Sequence, residues 1–90
     1  MGFLLVFIVN IIMEEKLGMI KLFAGSFVPE NYLECNGQML GVQSYLALFS
    51  LLGTTYGGNG QTNFGLPNLT APDENLKYII CVQGLYPIRP

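Results

Sequence analysis

The closing run KYIICVQG sets the tightest limit on what this chain can build. Tyr78 to Val82 is an unbroken series of aromatic, β-branched and other apolar residues, the pattern of a strand buried on both faces. Such a strand needs cover on two sides, and 90 residues supply one modest core to provide it. Upstream, MIKLFAG alternates from Met19, with Ile20, Leu22 and Ala24 on one face and Lys21 on the other, so it reads as a half-buried strand. VPEN, Val28 to Asn31, has proline at its second position and predicts a reversal of the chain. YLEC alternates again, with Leu33 and Cys35 inward and Glu34 outward. Asn36-Gly37 is the strongest short hairpin signal, because both central residues of a type I′ turn need positive φ. It predicts that Leu33–Cys35 pairs with Gln38–Leu40.

The pattern then changes period. Tyr45, Leu48, Phe49 and Leu52 fall at i, i+3, i+4 and i+7, the apolar stripe of a helix. Ser44 is the expected N-cap and Gly53 the expected C′ residue, giving two to three turns. Leu46 and Leu51 are apolar too, so the helix is expected to be covered on more than one side. After it comes GTTYGGNGQTNF, Gly53 to Phe64, with four glycines and no charge. FGLPNL follows, broken by Pro67 and suited to an edge strand or extended arm. TAPDEN, Thr70 to Asn75, is a polar turn region, and Pro87 and Pro90 end the last strand. The fold class is α+β: a small, mainly antiparallel β domain with one short helix and a long glycine-rich loop.

Charged residues make up only 11% of the chain, against about 25% in ordinary domains. A small domain has a large surface, and these few charges leave much of it unsolvated, so part of it is expected to be covered by other protein. Lys16, Lys21, Lys77 and Arg89 are scattered and the net charge is −2, which is not the footprint of a nucleic-acid binder. The chain has no histidine, hence neither the commonest general base nor the commonest metal ligand. Cys35 and Cys81 lie far apart in apolar strand-like segments without a CxxC spacing, and read as buried thiols; spacing alone does not decide whether they pair.

The glycine-rich loop invites comparison with phosphate cradles and fails it. Gly53 and Gly58 have the outer spacing of GxxxxGK[ST], but Asn59 and Gly60 stand where lysine and a hydroxyl belong. A phosphate loop precedes its helix, whereas this one follows a helix C-terminus, the negative end of the dipole. GxGxxG fails as well, at Asn63. The glycines instead predict a tight irregular loop, with Asn59, Gln61, Thr62 and Asn63 closing backbone hydrogen bonds. Elsewhere, Asp73 and Glu74 are neighbours in a turn, Glu30 and Glu34 belong to a solvated turn, and a Ser or Cys nucleophile has no histidine base. No catalytic, cofactor-binding or metal-binding residues are assigned, and no enzyme activity is expected.

The N-terminus divides from the rest. FLLVFIVNII, Phe3 to Ile12, is intensely apolar but too short for a bilayer-crossing helix of ~20 residues. It has the length of a signal-peptide core without the basic residues before it or the small-residue site after it. The first reading is that translation starts at Met13 and residues 1–12 are an upstream extension. A divergent signal or membrane anchor, and an extra element packing on the domain, are the alternatives. The chain therefore divides into residues 1–12 and a domain over 13–90, with no membrane contact expected apart from 1–12.

IKLFAGSFVPENYLECNGQML, then ALFSLLGTTYGGNGQTNFGLPNL, then KYIICVQGLYPIR together resemble the phage tail collar domain family. That family includes phage tail-fibre proteins and the bacterial microcystin-dependent-type proteins. Three motifs in order cover nearly everything from Met19 onward. The likeness also favours a start at Met13. Tyr32, with Leu33 after it, stands where the family usually has Trp. TAPDENL replaces the glycine- and histidine-rich insertion of longer members, so this is a short form and no role of that insertion carries over.

The resemblance implies a non-enzymatic structural component of a phage tail fibre or tail-derived bacterial particle, assembled in the bacterial cytoplasm. It further implies a homo-oligomer, with a trimer favoured, and other tail or fibre proteins as partners. By this reading Cys35, Asn36, Gly37 and Gln38 form a structural corner, Gly57, Gly58 and Gly60 shape the loop, and Pro67 sits in the arm. Tyr56, Asn59, Gln61 and Asn63 are the candidate partner-binding residues, suited to a surface glycan or receptor. The alternative is a free-standing bacterial binding module for cell-surface glycans or proteins.

Overall fold

The computed structural model describes residues 15–87; Phe3–Ile12, Arg89 and Pro90, with the readings attached to them, lie outside that range. Six elements follow in order: β1 (Ile20–Ala24), β2 (Tyr32–Glu34), β3 (Met39–Gly41), α1 (Leu46–Leu52), β4 (Asn63–Gly65) and β5 (Leu76–Cys81). They form a three-stranded sheet in the order β1-β5-β2 and a two-stranded sheet of β3 and β4, all pairs antiparallel. The α+β class with one short helix is the one expected.

β5 is the middle strand, which is why its sequence is apolar without alternation. Ile20 and Leu33 flank Ile80 in one row, and Lys21 and Glu34 flank Ile79 in the next. Ile79, Ile80, Cys81 and Val82 are all buried. β1 and β2 run parallel on either side of β5, so residues 25–31 must carry the chain back across the end of the sheet. The turn closing that return is displaced by one residue from VPEN: the Tyr32 N–H donates to the Pro29 carbonyl at 3.2 Å. Asn31 has φ 71°, the sign a type II turn requires at its third position.

The Asn36-Gly37 hairpin is not formed. Gly37 has φ 81°, but Asn31 is the one non-glycine residue with positive φ among those described, so Asn36 does not meet the type I′ requirement. The Asn36 side chain instead accepts the Gln38 N–H at 3.2 Å, the local competition that Asn offers the backbone. β2 pairs with β5, and β3 with β4.

The core lies between the sheets and α1. Leu17, Cys35, Leu40, Val42, Leu48, Phe64, Leu66, Ile80 and Val82 are buried together, with Tyr45, Phe49 and Leu52 packed against them. The predicted helical stripe is therefore the buried stripe. Its cap falls one residue later, at Tyr45, without a side-chain bond, and Gly53 at φ 57° donates its N–H to the Phe49 carbonyl at 2.7 Å. The expected cover on a second side of α1 is absent among the described residues: Leu46 is 57% exposed and Leu51 is exposed too. Of the two expectations for FGLPNL the strand holds and the arm does not: Phe64 and Gly65 belong to β4 in a two-stranded sheet, and Phe64 through Pro67 are buried. Likewise the Ile20/Leu22 face of β1 is not half-buried. It shares a face with Ile80 and Tyr78, but the core does not extend under the outer strand, leaving Ile20 39% and Leu22 42% exposed.

The TAPDEN turn forms as read, with the Asp73 side chain accepting the Asn75 N–H at 2.8 Å. On the other side of the sheet Lys21 pairs with Glu15 and lies over the Tyr32 ring, 5.3 Å from its centroid. The pair holds the Glu15 carboxyl below its ordinary range and the Lys21 ammonium above its own; both side chains are largely exposed, so it adds little stability. Cys35 and Cys81 are buried thiols rather than halves of a disulfide, as expected, and the Cys81 Sγ–H donates to the Gln83 carbonyl at 3.3 Å.

Leu48→Ala should cost about 2–5 kcal/mol in chemical denaturation, by lost burial plus a cavity, whereas Leu46→Ala should stay within about 0.5 kcal/mol. Equal losses would mean that the outer face of α1 is packed after all. Burial pushes the Cys35 thiol above its ordinary value. Folding therefore favours the protonated form, and this stabilisation is full below the unfolded pKa and lost as pH rises through the folded one. Thiol-labelling reagents should accordingly react slowly with the native protein at neutral pH and rapidly with the denatured chain.

Candidate functional site

The motifs singled out from sequence converge on one ribbon and the loop beside it. Past the end of β2, Cys35 to Gly41 runs antiparallel to Asn63 to Leu69. Met39, Leu40 and Gly41 pair with Gly65, Phe64 and Asn63. The Leu66 N–H donates to Gln38 O at 3.0 Å, Gly37 N–H to Pro67 O at 3.2 Å, and Leu69 N–H to Cys35 O at 2.9 Å; Asn36 and Asn68 form a bridge. The corner CNGQ and the segment LPNL are thus the two sides of one irregular ladder. Proline is tolerated at position 67 because only its carbonyl is used there. Gln38 also donates Nε2–H to the Glu34 carbonyl at 3.0 Å, tying the corner to β2.

The glycine-rich loop leaves the C-terminus of α1 and closes on itself around Asn59. The Asn59 Oδ1 accepts the N–H groups of Gln61, Thr62 and Asn63 at 2.8, 2.9 and 3.2 Å. Its Nδ2–H donates to Thr62 Oγ1 at 3.0 Å, and its own N–H donates to Asn63 Oδ1 at 2.9 Å. One amide side chain thereby replaces the water that three exposed backbone donors would otherwise need. The Val42 N–H donates to Thr62 O at 3.1 Å and the Gly65 N–H to Gly57 O at 2.9 Å, fastening the loop to β3 and β4.

Two glycines are required by contact, and Gly58 by its backbone as well. A Cβ on Gly58, φ 95°, would lie 2.4 Å from Phe64 Cα, and one on Gly65 would lie 2.4 Å from the Tyr56 carbonyl oxygen. The loop backbone is pressed onto β4, and Phe64 below it is fully buried against Phe49, with ring centroids 5.4 Å apart.

This geometry sorts the four candidate binding residues. Asn59 and Asn63 turn their amides into the loop, Gln61 joins the network through its backbone, and Tyr56 is 49% exposed. The loop thus offers an outward Tyr56 and Gln61 rather than four convergent polar groups. A separate open groove of about 540 Å³, lined by Ala24, Gly25, Ser26, Glu74, Asn75 and Lys77, lies at the far end of β1 and β5; nothing in the sequence pattern marked it. Among the described residues no helix is long and apolar enough to cross a membrane, and no group of three or more His, Cys, Asp or Glu is placed to hold a metal ion.

A compact antiparallel β domain whose recognisable residues serve a ladder and a self-bonded loop is an architectural module. The phage tail collar domain matches residues 18–72, more than half of the chain, and the chain belongs to that family. The match covers β1 to β4 and α1; the likeness of KYIICVQG lies beyond it, although β5 completes the sheet. The collar domain is a structural phage tail domain, which places this chain among tail-fibre components. No curated protein matches the chain.

Asn59→Ala should destabilise the domain by about 1–2 kcal/mol, comparable to losing a helix cap, because three N–H acceptor bonds go at once. Asn59→Asp keeps the acceptor and should lose less than half as much in the same thermal or denaturant measurement. Equal losses would show that the Oδ1 contacts do not hold the loop.

Proposed function

We propose that the chain is a non-enzymatic structural subunit of a phage tail fibre or of a tail-derived bacterial particle, assembled in the bacterial cytoplasm with other tail proteins and further copies of itself. The observation that carries this reading is the collar-domain match over residues 18–72. The surface supports it independently: eleven large apolar or aromatic side chains of the described residues are exposed, Phe27 at 69% the most, on a chain with only ten charged residues. Such a surface favours burial against other protein.

Attachment to a host surface, in this reading, falls to the outward side of the loop. Tyr56 supplies an aromatic face and Gln61 a carboxamide, a pairing suited to the apolar face and hydroxyls of a sugar ring. Asn59 and Asn63 hold the loop in shape beneath them.

Mass spectrometry of particles purified from a producing strain should find the chain together with other tail proteins. Recovery from the cell surface and not from particles would replace this reading with that of a free-standing binding module. Tyr56→Ala combined with Gln61→Ala should lower particle adsorption or glycan binding while leaving the thermal midpoint in place; unchanged adsorption would remove the loop from any attachment role.

A further inference from the structure

The chain holds two Asn-Gly dipeptides, Asn36-Gly37 and Asn59-Gly60. Asparagine is a thermolabile residue, and a following glycine, with no side chain in the way, lets its own peptide nitrogen reach the amide. That nitrogen gives up its proton and bonds to the asparagine Cγ. The Cγ–Nδ2 bond breaks, and the amide leaves as ammonia with the proton. Water then opens the cyclic imide. Opening at Cγ gives aspartate; opening at the main-chain carbonyl gives isoaspartate, whose backbone runs through the side chain and is one methylene longer.

Exposure does not separate the two asparagines, since both are exposed. Hydrogen bonding does. The Asn59 Oδ1 accepts the N–H groups of Gln61, Thr62 and Asn63, and its Nδ2–H donates to Thr62 Oγ1. The attacking group is held as well, because the Gly60 N–H donates to the Asn63 carbonyl at 3.0 Å. For Asn59 to react, its amide must leave this network and Gly60 must lose its acceptor, so the loop has to open first. The Asn36 side chain makes one bond, accepting the Gln38 N–H at 3.2 Å, and its Nδ2 meets no described residue. The Gly37 N–H donates to the Pro67 carbonyl at 3.2 Å, the long end of the N–H···O range.

We propose that Asn36 is a site of spontaneous deamidation in the folded protein, and that the Asn59 network protects the second dipeptide. The two products have different consequences. Aspartate at position 36 still offers an acceptor to the Gln38 N–H. Isoaspartate lengthens the chain where Cys35–Gly41 is laddered to Asn63–Leu69. Gly37 and Gln38 then lose register with Pro67 and Leu66, and Gln38 loses its hold on the Glu34 carbonyl. The modification needs only the folded chain and water, so it stands apart from the tail-subunit reading.

The test ages the full chain at mildly alkaline pH, once folded and once in denaturant, and follows chymotryptic peptides that separate the two dipeptides by mass spectrometry. In the folded chain Asn36 should convert at least about tenfold faster than Asn59, a ratio that little more than one hydrogen bond's net worth supplies. In denaturant the two rates should draw level. Labelling by an isoaspartyl methyltransferase should fall at position 36. The isoaspartate form, isolated by chromatography, should melt below the unaltered chain, while Asn36→Asp should melt close to it. Folded protein that converts both asparagines equally, or that leaves Asn36 intact while the denatured chain converts it, would overturn the inference. So would a preference for Asn36 that persists in denaturant, since the cause would then be local sequence. An isoaspartate form with an unchanged midpoint would overturn the effect on the ladder.

Discussion

Every other element depends on β5 being inserted between β1 and β2. The strand comes last in the described chain yet pairs with the first two, so neither outer strand has a partner until the end of the domain arrives. Its side chains point to both faces: Ile80 into the core, Ile79 and Cys81 to the side where Tyr32, Lys21 and Glu15 gather. A strand so placed must be apolar on both faces, which explains why KYIICV abandons the alternation that β1 keeps. Such closure over long sequence separation is the entropically expensive kind, and the dense apolar content of β5 is what offsets it.

The second structural constraint is local. The ladder between Cys35–Gly41 and Asn63–Leu69, with the Asn59-centred loop folded onto it, holds the helix against the sheets through Phe49 and Phe64. Its glycines are fixed by close backbone approach at Gly58 and Gly65, and its polar side chains are committed to one another. The most conspicuous stretch of the sequence is therefore conspicuous for packing. What it leaves outward, Tyr56 and Gln61, is a small part of it, and any recognition by the loop must be built from those residues on a rigid base.

The surface carries the functional argument further than any cleft does. Apolar side chains emerge on β1, on the outer side of α1 and near Leu85 and Tyr86, in a family whose members build tails. The two sheet edges are finished unevenly: at β2 the Tyr32 N–H and the Glu34 carbonyl are taken up by Pro29 and Gln38, while no described strand pairs with the outer side of β1, beside exposed Ile20 and Leu22. That asymmetry connects the scarcity of charge to a specific place on the molecule.

The sequence by itself determined the element types, the helical stripe Tyr45–Leu48–Phe49–Leu52, the buried final strand, the buried thiols, the turn at Asp73 and the self-bonded character of the loop. All of these follow from periodicity, side-chain chemistry or the φ freedom of glycine, which act within a few residues. Partners across the chain were decided only by the tertiary structure. Asn36-Gly37 carries a hairpin signature, but β2 is claimed by β5 and β3 by β4, because burying KYIICV outweighs one favourable turn. The FGLP pattern suits an edge strand or an arm alike, and it is the CNGQ segment lying alongside that makes it one side of a ladder. The Ile20/Leu22 face has the alternation of a half-buried strand; whether core lies beneath it depends on where the other sheet ends, which no local pattern records.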